Sequence, residues 1–324
     1  MEVVGDHDYL GTIISVKGRK NDLAKRIVDC KGVLNEIVEV LKTDGVSELR
    51  LQFMKTLIHS CFIKKFEHGC EVWDSMSVRE RATINKLIPN MVKRILEIPG
   101  STPTSAVTHD IGIIDLDLEV AMERVLLASK VLQMGDNRIS KRLLKSMMNK
   151  KVPGFCTSLA DAMEMIGIDN FEMLETVSNE RKLVKDMLVE VQRKRLVESM
   201  MKGSKTDAML LNFSFDGKTK AYLSQLTFPE ARIVFLFRSR MFSTKSNFPK
   251  RWSQSNLCTF CCEVETDEHL FECCGYMDIH RYVWTHGTFM KLECDMEFLS
   301  AGAKVLIGMH DRLMQINEDP NVNV

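Results

Sequence analysis

Hydrophobic residues recur along most of this chain at helical rather than strand spacing. Leu49, Phe53 and Leu57 fall every four residues, Met54, Ile58 and Cys61 run beside them, and Ser47 stands where an N-cap belongs. Leu118, Met122, Val125, Ser129 and Leu132 draw a second stripe. Val184, Leu188 and Val191 draw a third within the charged segment 178–200. Stripes of this kind mark helix faces turned toward a core. The exception lies at the start. Residues 9–14 (YLGTII) form a short apolar run, and Val16-Lys17-Gly18 then offers turn chemistry, which predicts a small β-hairpin or strand.

Three interruptions divide the helical pattern. Pro99-Gly100-Ser101-Thr102-Pro103 cannot continue a helix, because proline lacks a donor and restricts the residue before it. Val152-Pro153-Gly154 is a second break and Asn212 to Gly217 a third. The polar tail NEDPNVNV predicts fraying. Seven prolines and 17 glycines are few for 324 residues, so a mainly α protein is expected.

Composition narrows the class. At 45% hydrophobic and 27% charged residues the chain reads as globular, and its length allows one large core or two modest ones. Formal net charge is zero, so attraction to nucleic acid must come from a local patch. No apolar run reaches membrane-spanning length and the start lacks a basic region followed by an apolar stretch. The expectation is an intracellular protein, nuclear or cytoplasmic, without a membrane partner. Ten cysteines are too sparse for a disulfide scaffold and fit a reducing compartment. Cys30, Cys61, Cys70 and Cys156, scattered among apolar neighbours, are expected to be small buried residues.

The chemistry concentrates in residues 258–274, CTFCCEVETDEHLFECC. Cys258-x2-Cys261-x7-His269 is followed by Cys273 or Cys274. A Cys-x2-Cys turn places two thiolates on one metal, and a histidine with a further cysteine completes a tetrahedral, closed zinc site. If the segment from Asp267 is helical, His269 and Cys273 share a face, which favours Cys273 as the fourth ligand over Cys274. Cys262 reads as a neighbour that stabilises the thiolates rather than as a ligand. Closed coordination makes the expected Zn2+ structural, not catalytic. Five acids (Glu263, Glu265, Asp267, Glu268, Glu272) and no base between 262 and 273 predict a loop that repels phosphate.

The preceding segment has the opposite sign. Residues 228–251 carry Arg232, Arg238, Arg240, Lys245, Lys250 and Arg251 against Glu230 alone, a balance of +5. Phe235, Phe237, Phe242 and Phe248 are interleaved, with Trp252 just after. Bases pair with phosphate and aromatics stack on unpaired nucleobases, so RNA or single-stranded DNA is one reading. An amphipathic helix with a solvated basic face and a phenylalanine core is the other. No phosphate loop, HExxH or nucleophile elbow occurs. Asp115 and Asp117 read as a solvated turn, and His280, His286 and His310 as surface or interfacial.

Four stretches together resemble the C-terminal part of a non-LTR (LINE-like) retrotransposon reverse transcriptase. Tyr9-Leu10-Gly11 with Gly18 and Lys25-Arg26-Ile27 resembles the passage from palm to thumb. His68-Gly69-Cys70-Glu71-Val72-Trp73 resembles the family's YGxExW helix, although Phe66-Glu67-His68 replaces the usual lead-in. Arg94-Ile95-Leu96, Ile98-Pro99 and Ser101-Thr102-Pro103 resemble its RxLgiPrsTP stretch. Thr244-Lys245-Ser246-Asn247-Phe248-Pro249, with the Cys/His cluster, resembles the zinc-binding segment. The resemblance implies a multi-helical, thumb-like bundle with a short N-terminal β-hairpin and a small C-terminal zinc module. It divides the chain into a palm-like end (1–30), a thumb-like helical domain (31–150), a helical linker (151–250), a zinc segment (251–280) and a C-terminal helix with a frayed tail (281–324). In that family the catalytic aspartates lie upstream of the YLG segment. The expectation is therefore a non-catalytic remnant that holds RNA or single-stranded DNA, alone or with an upstream palm domain. The alternatives are a zinc-stabilised protein–protein adaptor and a fragment without function.

Overall fold

A computed structural model describes residues 6–9, 12–15, 20–43, 50–152, 154–177, 181–203, 206–210, 213–242, 244–247, 256–258, 261–267, 269 and 296–318. The chain is mainly helical. Two short strands, β1 (Asp6–Tyr9) and β2 (Thr12–Ser15), pair antiparallel with Tyr9 opposite Thr12. Val16, Lys17 and Gly18, where the sequence offered a turn, lie outside the described residues. Then follow α1 (Lys20–Lys42), α2 (Arg50–Leu57), a π-helical segment (Ile58–Ile63), α3 (Lys64–Glu67), α4 (Val78–Ile84), α5 (Leu87–Ile95), α6 (Thr104–Ile111) and α7 (Leu116–Leu132). The chain continues through α8 (Ile139–Asn149), α9 (Phe155–Ile166), α10 (Phe171–Thr176), α11 (Arg181–Met201), α12 (Tyr222–Gln225), α13 (Phe228–Arg238) and α14 (Met296–Glu318).

The proline breaks separate helices as their chemistry requires. α5 ends before Pro99, α6 begins after Pro103, and α8 and α9 lie on either side of residue 153. Two starts carry reciprocal capping boxes, Ser77 with Glu80 on α4 and Thr227 with Glu230 on α13. α6 stops at Gly112, which takes the left-handed conformation (φ 68°). Its last carbonyls are then claimed by the 214–220 loop and by Lys55 of α2. Lys220 N–H donates to Asp110 O at 2.8 Å, Thr219 Oγ1 to Ile111 O at 2.9 Å, and the Lys55 ammonium to Gly112 O at 3.0 Å.

Among the described residues two hydrophobic cores form. The first draws on α1 through α6, Met200, Met209, α12, α13 and α14, with the C-terminal helix packing on α12 and α13. Leu299, Ala303, Leu306 and Met309 supply the buried stripe of α14. The second joins α7, α8, α9, α10 and α11. α7 serves both: Leu116 and Val120 enter the first core, Leu118, Met122 and Val125 the second. Arg124 ties the pieces together, donating to Trp73 O at 2.6 Å and Ser158 O at 3.1 Å. Trp73 in turn donates through Nε1 to Asp22 of α1 at 2.7 Å.

Helix faces follow the α7 and α11 stripes: Leu118, Met122, Val125, Ser129, Leu132, Val184 and Leu188 are all buried, and Val191 packs against the second core. The first stripe is corrected at Phe53 and Cys61 only. Leu51, Met54 and Ile58 are buried, whereas Phe53 is 48% exposed; Ser47 and Leu49 lie outside the described residues. The π-helical turn that follows closes i→i+5 bonds and shifts the face on which Phe62 and Phe66 continue inward. Cys30 and Cys70 are buried as expected, but Cys61 is exposed and Cys156 half-buried.

Asp115 and Asp117 are a second correction, because they are not a solvated pair. Asp117 is 3% exposed, accepts from Asn85 Nδ2 at 2.9 Å and pairs with Arg195 at 2.9 Å. Asp115 lies 3.5 Å from the same guanidinium. Its own burial, then the neighbouring Asp117 charge, push its carboxyl up to about 6.

Candidate metal centre

The Cys-x2-Cys turn is held by a short antiparallel pairing. Leu257 and Val264 bridge, Glu265 N–H donates to Asn256 O at 2.9 Å, and Cys258 N–H donates to Glu263 O at 2.5 Å. Among the described residues of this turn, one takes left-handed backbone. Cys262 supplies it at φ 62°, with its N–H on Cys258 O at 2.9 Å. A non-glycine residue there stores strain of roughly 1–3 kcal/mol, which the surrounding pairing must offset. Thr266 then starts a helical turn, its Oγ1 accepting from His269 N–H at 2.9 Å as an N-cap does.

These two devices bring three ligand atoms together. The Sγ atoms of Cys258 and Cys261 and a ring nitrogen of His269 all lie within 4.8 Å of one another. Cys261 Sγ is 3.1 Å from His269 Nε2. Thiolates about 2.3 Å and an imidazole nitrogen about 2.0 Å from a tetrahedral ion would stand roughly 3.6–3.8 Å apart. The three donors are thus close enough to share one metal ion, with Cys261 Sγ and His269 Nε2 standing somewhat nearer than tetrahedral ligands would. Cys258 and His269 are buried and Cys261 is exposed. On the far side of the ring, His269 Nδ1 faces Glu263 Oε2 at 3.6 Å. A carboxylate on that side leaves Nε2 as the ring nitrogen nearer the cysteine sulfurs. Cys262 is exposed and outside the ligand set, as the spacing suggested. Cys273 and Cys274 lie outside the described residues.

A polar strap from 244 to 247 fixes the loop. Lys245 N–H donates to Glu265 Oε1 at 3.0 Å and Ser246 N–H to Glu265 O at 3.2 Å. Asn247 Nδ2 reaches both oxygens of Asp267, at 3.0 and 3.1 Å, and Phe242 O at 3.1 Å. Lys245 Nζ reaches Leu257 O at 2.5 Å. The expectation of a phosphate-repelling acidic loop is corrected in part. Glu265 and Asp267 are buried and serve as internal acceptors, while Glu263 faces solvent. Burial pushes the Glu265 carboxyl above its ordinary range, and the Lys245 contacts pull against that. The structure brings together Cys258, Cys261 and His269, which the spacing singled out; the internal hydrogen-bonding roles of Thr244, Asn247, Glu265 and Thr266 were not expected. The polar run Thr244-Lys245-Ser246-Asn247 was the available signal.

No known protein family, curated protein or solved structure matches this chain.

The structure sorts the basic segment. Arg238 is 4% exposed and is a correction: it faces inward, with Nε and Nη2 each 3.2 Å from Asp110. Asp110 also accepts from Tyr222 Oη at 2.6 Å and pairs with His109 Nδ1 at 2.6 Å. Burial opposes the Asp110 charge, yet Arg238 and His109 hold its carboxyl far below the usual range. Phe235, Phe237 and Phe242 are fully buried core residues and cannot stack on nucleobases. Arg232 is half-buried and donates to Glu97 O at 3.2 Å; Arg240 is half-buried. Phe248, Lys250, Arg251 and Trp252 lie outside the described residues. His310 is half-buried with its ring 5.7 Å from Phe242, and His280 and His286 are not described. Among the described residues no helix is long and apolar enough to cross a membrane.

Proposed function

We propose that this chain is a helical, non-catalytic module stabilised by one zinc ion and that it holds RNA or single-stranded DNA beside the metal. Cys258, Cys261 and His269 would supply three ligands and Cys273 or Cys274 the fourth. The observation that supports this is the convergence of two thiol sulfurs and an imidazole nitrogen within 4.8 Å, on a loop where Asp267 and one oxygen of Glu265 accept internal hydrogen bonds. Zinc suits two sulfurs and a nitrogen in tetrahedral array. With four protein ligands it would fix the loop rather than activate water. Arg232, Arg240, Lys245, Lys250, Arg251, Phe248 and Trp252 remain the nucleic-acid surface in this reading. The thumb-like architecture and descent from a reverse transcriptase stay proposals on the motifs quoted above.

A second reading, the zinc-stabilised adaptor, draws support from the burial of Arg238 and three phenylalanines, which removes part of the stacking and charge surface. Filter binding of a short single-stranded RNA to the full chain separates the two. The first reading expects affinity that falls steeply with salt and weakens when Lys250, Arg251 and Trp252 are changed to alanine. No retention at low salt overturns it and leaves the adaptor.

A further inference from the structure

The strongest exposed patch lies elsewhere, on α8. Its inner side packs on the second core through Leu144 and Met148. Its outer side is unusual for a surface helix. Ile139 is 81% and Leu143 58% exposed, and Met147 is half-buried. The spacing i, i+4, i+8 sets the three in one ridge about 12 Å long. The charge around the ridge has one sign. Residues 137–151 contain Arg138, Lys141, Arg142, Lys145, Lys150 and Lys151 and no acid. Asp136 takes Lys141 at 2.8 Å and Lys145 at 4.0 Å. Arg138, Arg142, Lys150 and Lys151 are exposed, and among the described residues no carboxylate pairs with them.

The geometry points to α8 as the docking face for an acidic amphipathic helix of a partner protein. The partner's apolar ridge would lie against Ile139, Leu143 and Met147, and its flanking carboxylates would meet Arg138, Arg142 and Lys150. A straight ridge of i, i+4, i+8 side chains is the surface another helix packs against. Charge complementarity requires the occupant to be acidic, which disfavours a second copy, because it would bring six bases against six. Nucleic acid would use the bases but gains nothing from two exposed aliphatic side chains, and no aromatic residue stands on α8 for stacking. A lipid surface is disfavoured because the helix has 11 residues, no aromatic anchor and one face already committed to the core.

The test is fluorescence anisotropy of the full-length chain with a labelled synthetic helix bearing leucines at i, i+4 and i+8 and glutamates on its flanks. A scrambled peptide of the same composition, anionic phospholipid vesicles and a single-stranded RNA are run alongside. The expected result is saturable binding to the designed helix and at least tenfold weaker binding to the scramble. Ile139→Ser with Leu143→Ser should weaken it at least tenfold, and Arg142→Glu with Lys150→Glu by a similar factor. All four positions are exposed, and circular dichroism checks that each pair stays folded. If one pair unfolds, the other decides. The proposal is overturned if the designed helix does not bind or if the scramble binds equally. It is also overturned if the serine pair leaves affinity unchanged, or if vesicles or RNA bind with the same residue dependence while the helix does not.

Discussion

Arg238→Met tests whether the basic segment is partly internal. The substitution keeps most of the side-chain volume but removes the two guanidinium contacts, each 3.2 Å from Asp110. Asp110 stays buried with its charge, since it is 0% exposed. Breaking one partner of a buried pair costs about 3–5 kcal/mol, because the remaining charge is stranded. The Tyr222 hydroxyl and His109 ring still serve that carboxylate, so a value near the lower end, about 3 kcal/mol, is expected. For a chain of this length that lowers the melting temperature by roughly 4–5 °C. Urea and thermal unfolding followed by circular dichroism measure it. Adding Asp110→Asn should recover about 1 kcal/mol or more, because the stranded charge is gone. The reasoning is refuted if Arg238→Met unfolds like wild type while RNA affinity drops, which is the behaviour of a surface contact.

Other expectations follow from the same structure. Glu119 is buried beside Glu67, and burial first, then the Glu67 charge, push its carboxyl up to about 7. A raised carboxyl holds its proton in the folded state, so its contribution to stability declines as pH rises from about 4.5 to 7. Glu119→Gln should therefore stabilise the protein by roughly 1–3 kcal/mol at pH 8 and have little effect at pH 4.5, as urea melts at the two pH values would show. Gly112→Ala places a Cβ 2.2 Å from Lys218 O at φ 68° and should cost roughly 2–4 kcal/mol; a wild-type melting point would mean the loop does not close on α6 as described. Arg240→Ala should reduce the slope of log affinity against log salt for RNA by about one if Arg240 meets a phosphate, and an unchanged slope removes it from the contact surface.

Much of the fold was legible where one physical cause dominates. Proline breaks at 99–103 and 153 separate helices because no helix accommodates them. The α7 stripe is buried because 17 residues of unbroken helix keep its phase. Phe53 departs from its stripe because a single step of the helical wheel separates it from buried Met54, while Leu57 packs against the first core. At the candidate site, Cys258, Cys261 and His269 were legible because few other arrangements explain that spacing. The inward turn of Arg238 was not. Its partner Asp110 is 128 residues away, and charged side chains are ordinarily at the surface. The same holds for Glu265 and Asp267, whose acceptor roles depend on backbone and side-chain donors about 20 residues earlier.

The central claim is that the 258–269 knuckle holds one metal ion as a structural element. Metal content per chain, read by inductively coupled plasma mass spectrometry on protein purified without chelator, tests it most directly, with Cys261→Ser and His269→Ala as partners. The account predicts one zinc per wild-type chain, clear loss in both variants, and a lower melting temperature after chelation of the wild type but not of the variants. Wild-type protein free of metal after purification and after incubation with zinc, or zinc retained equally by both variants, would contradict it.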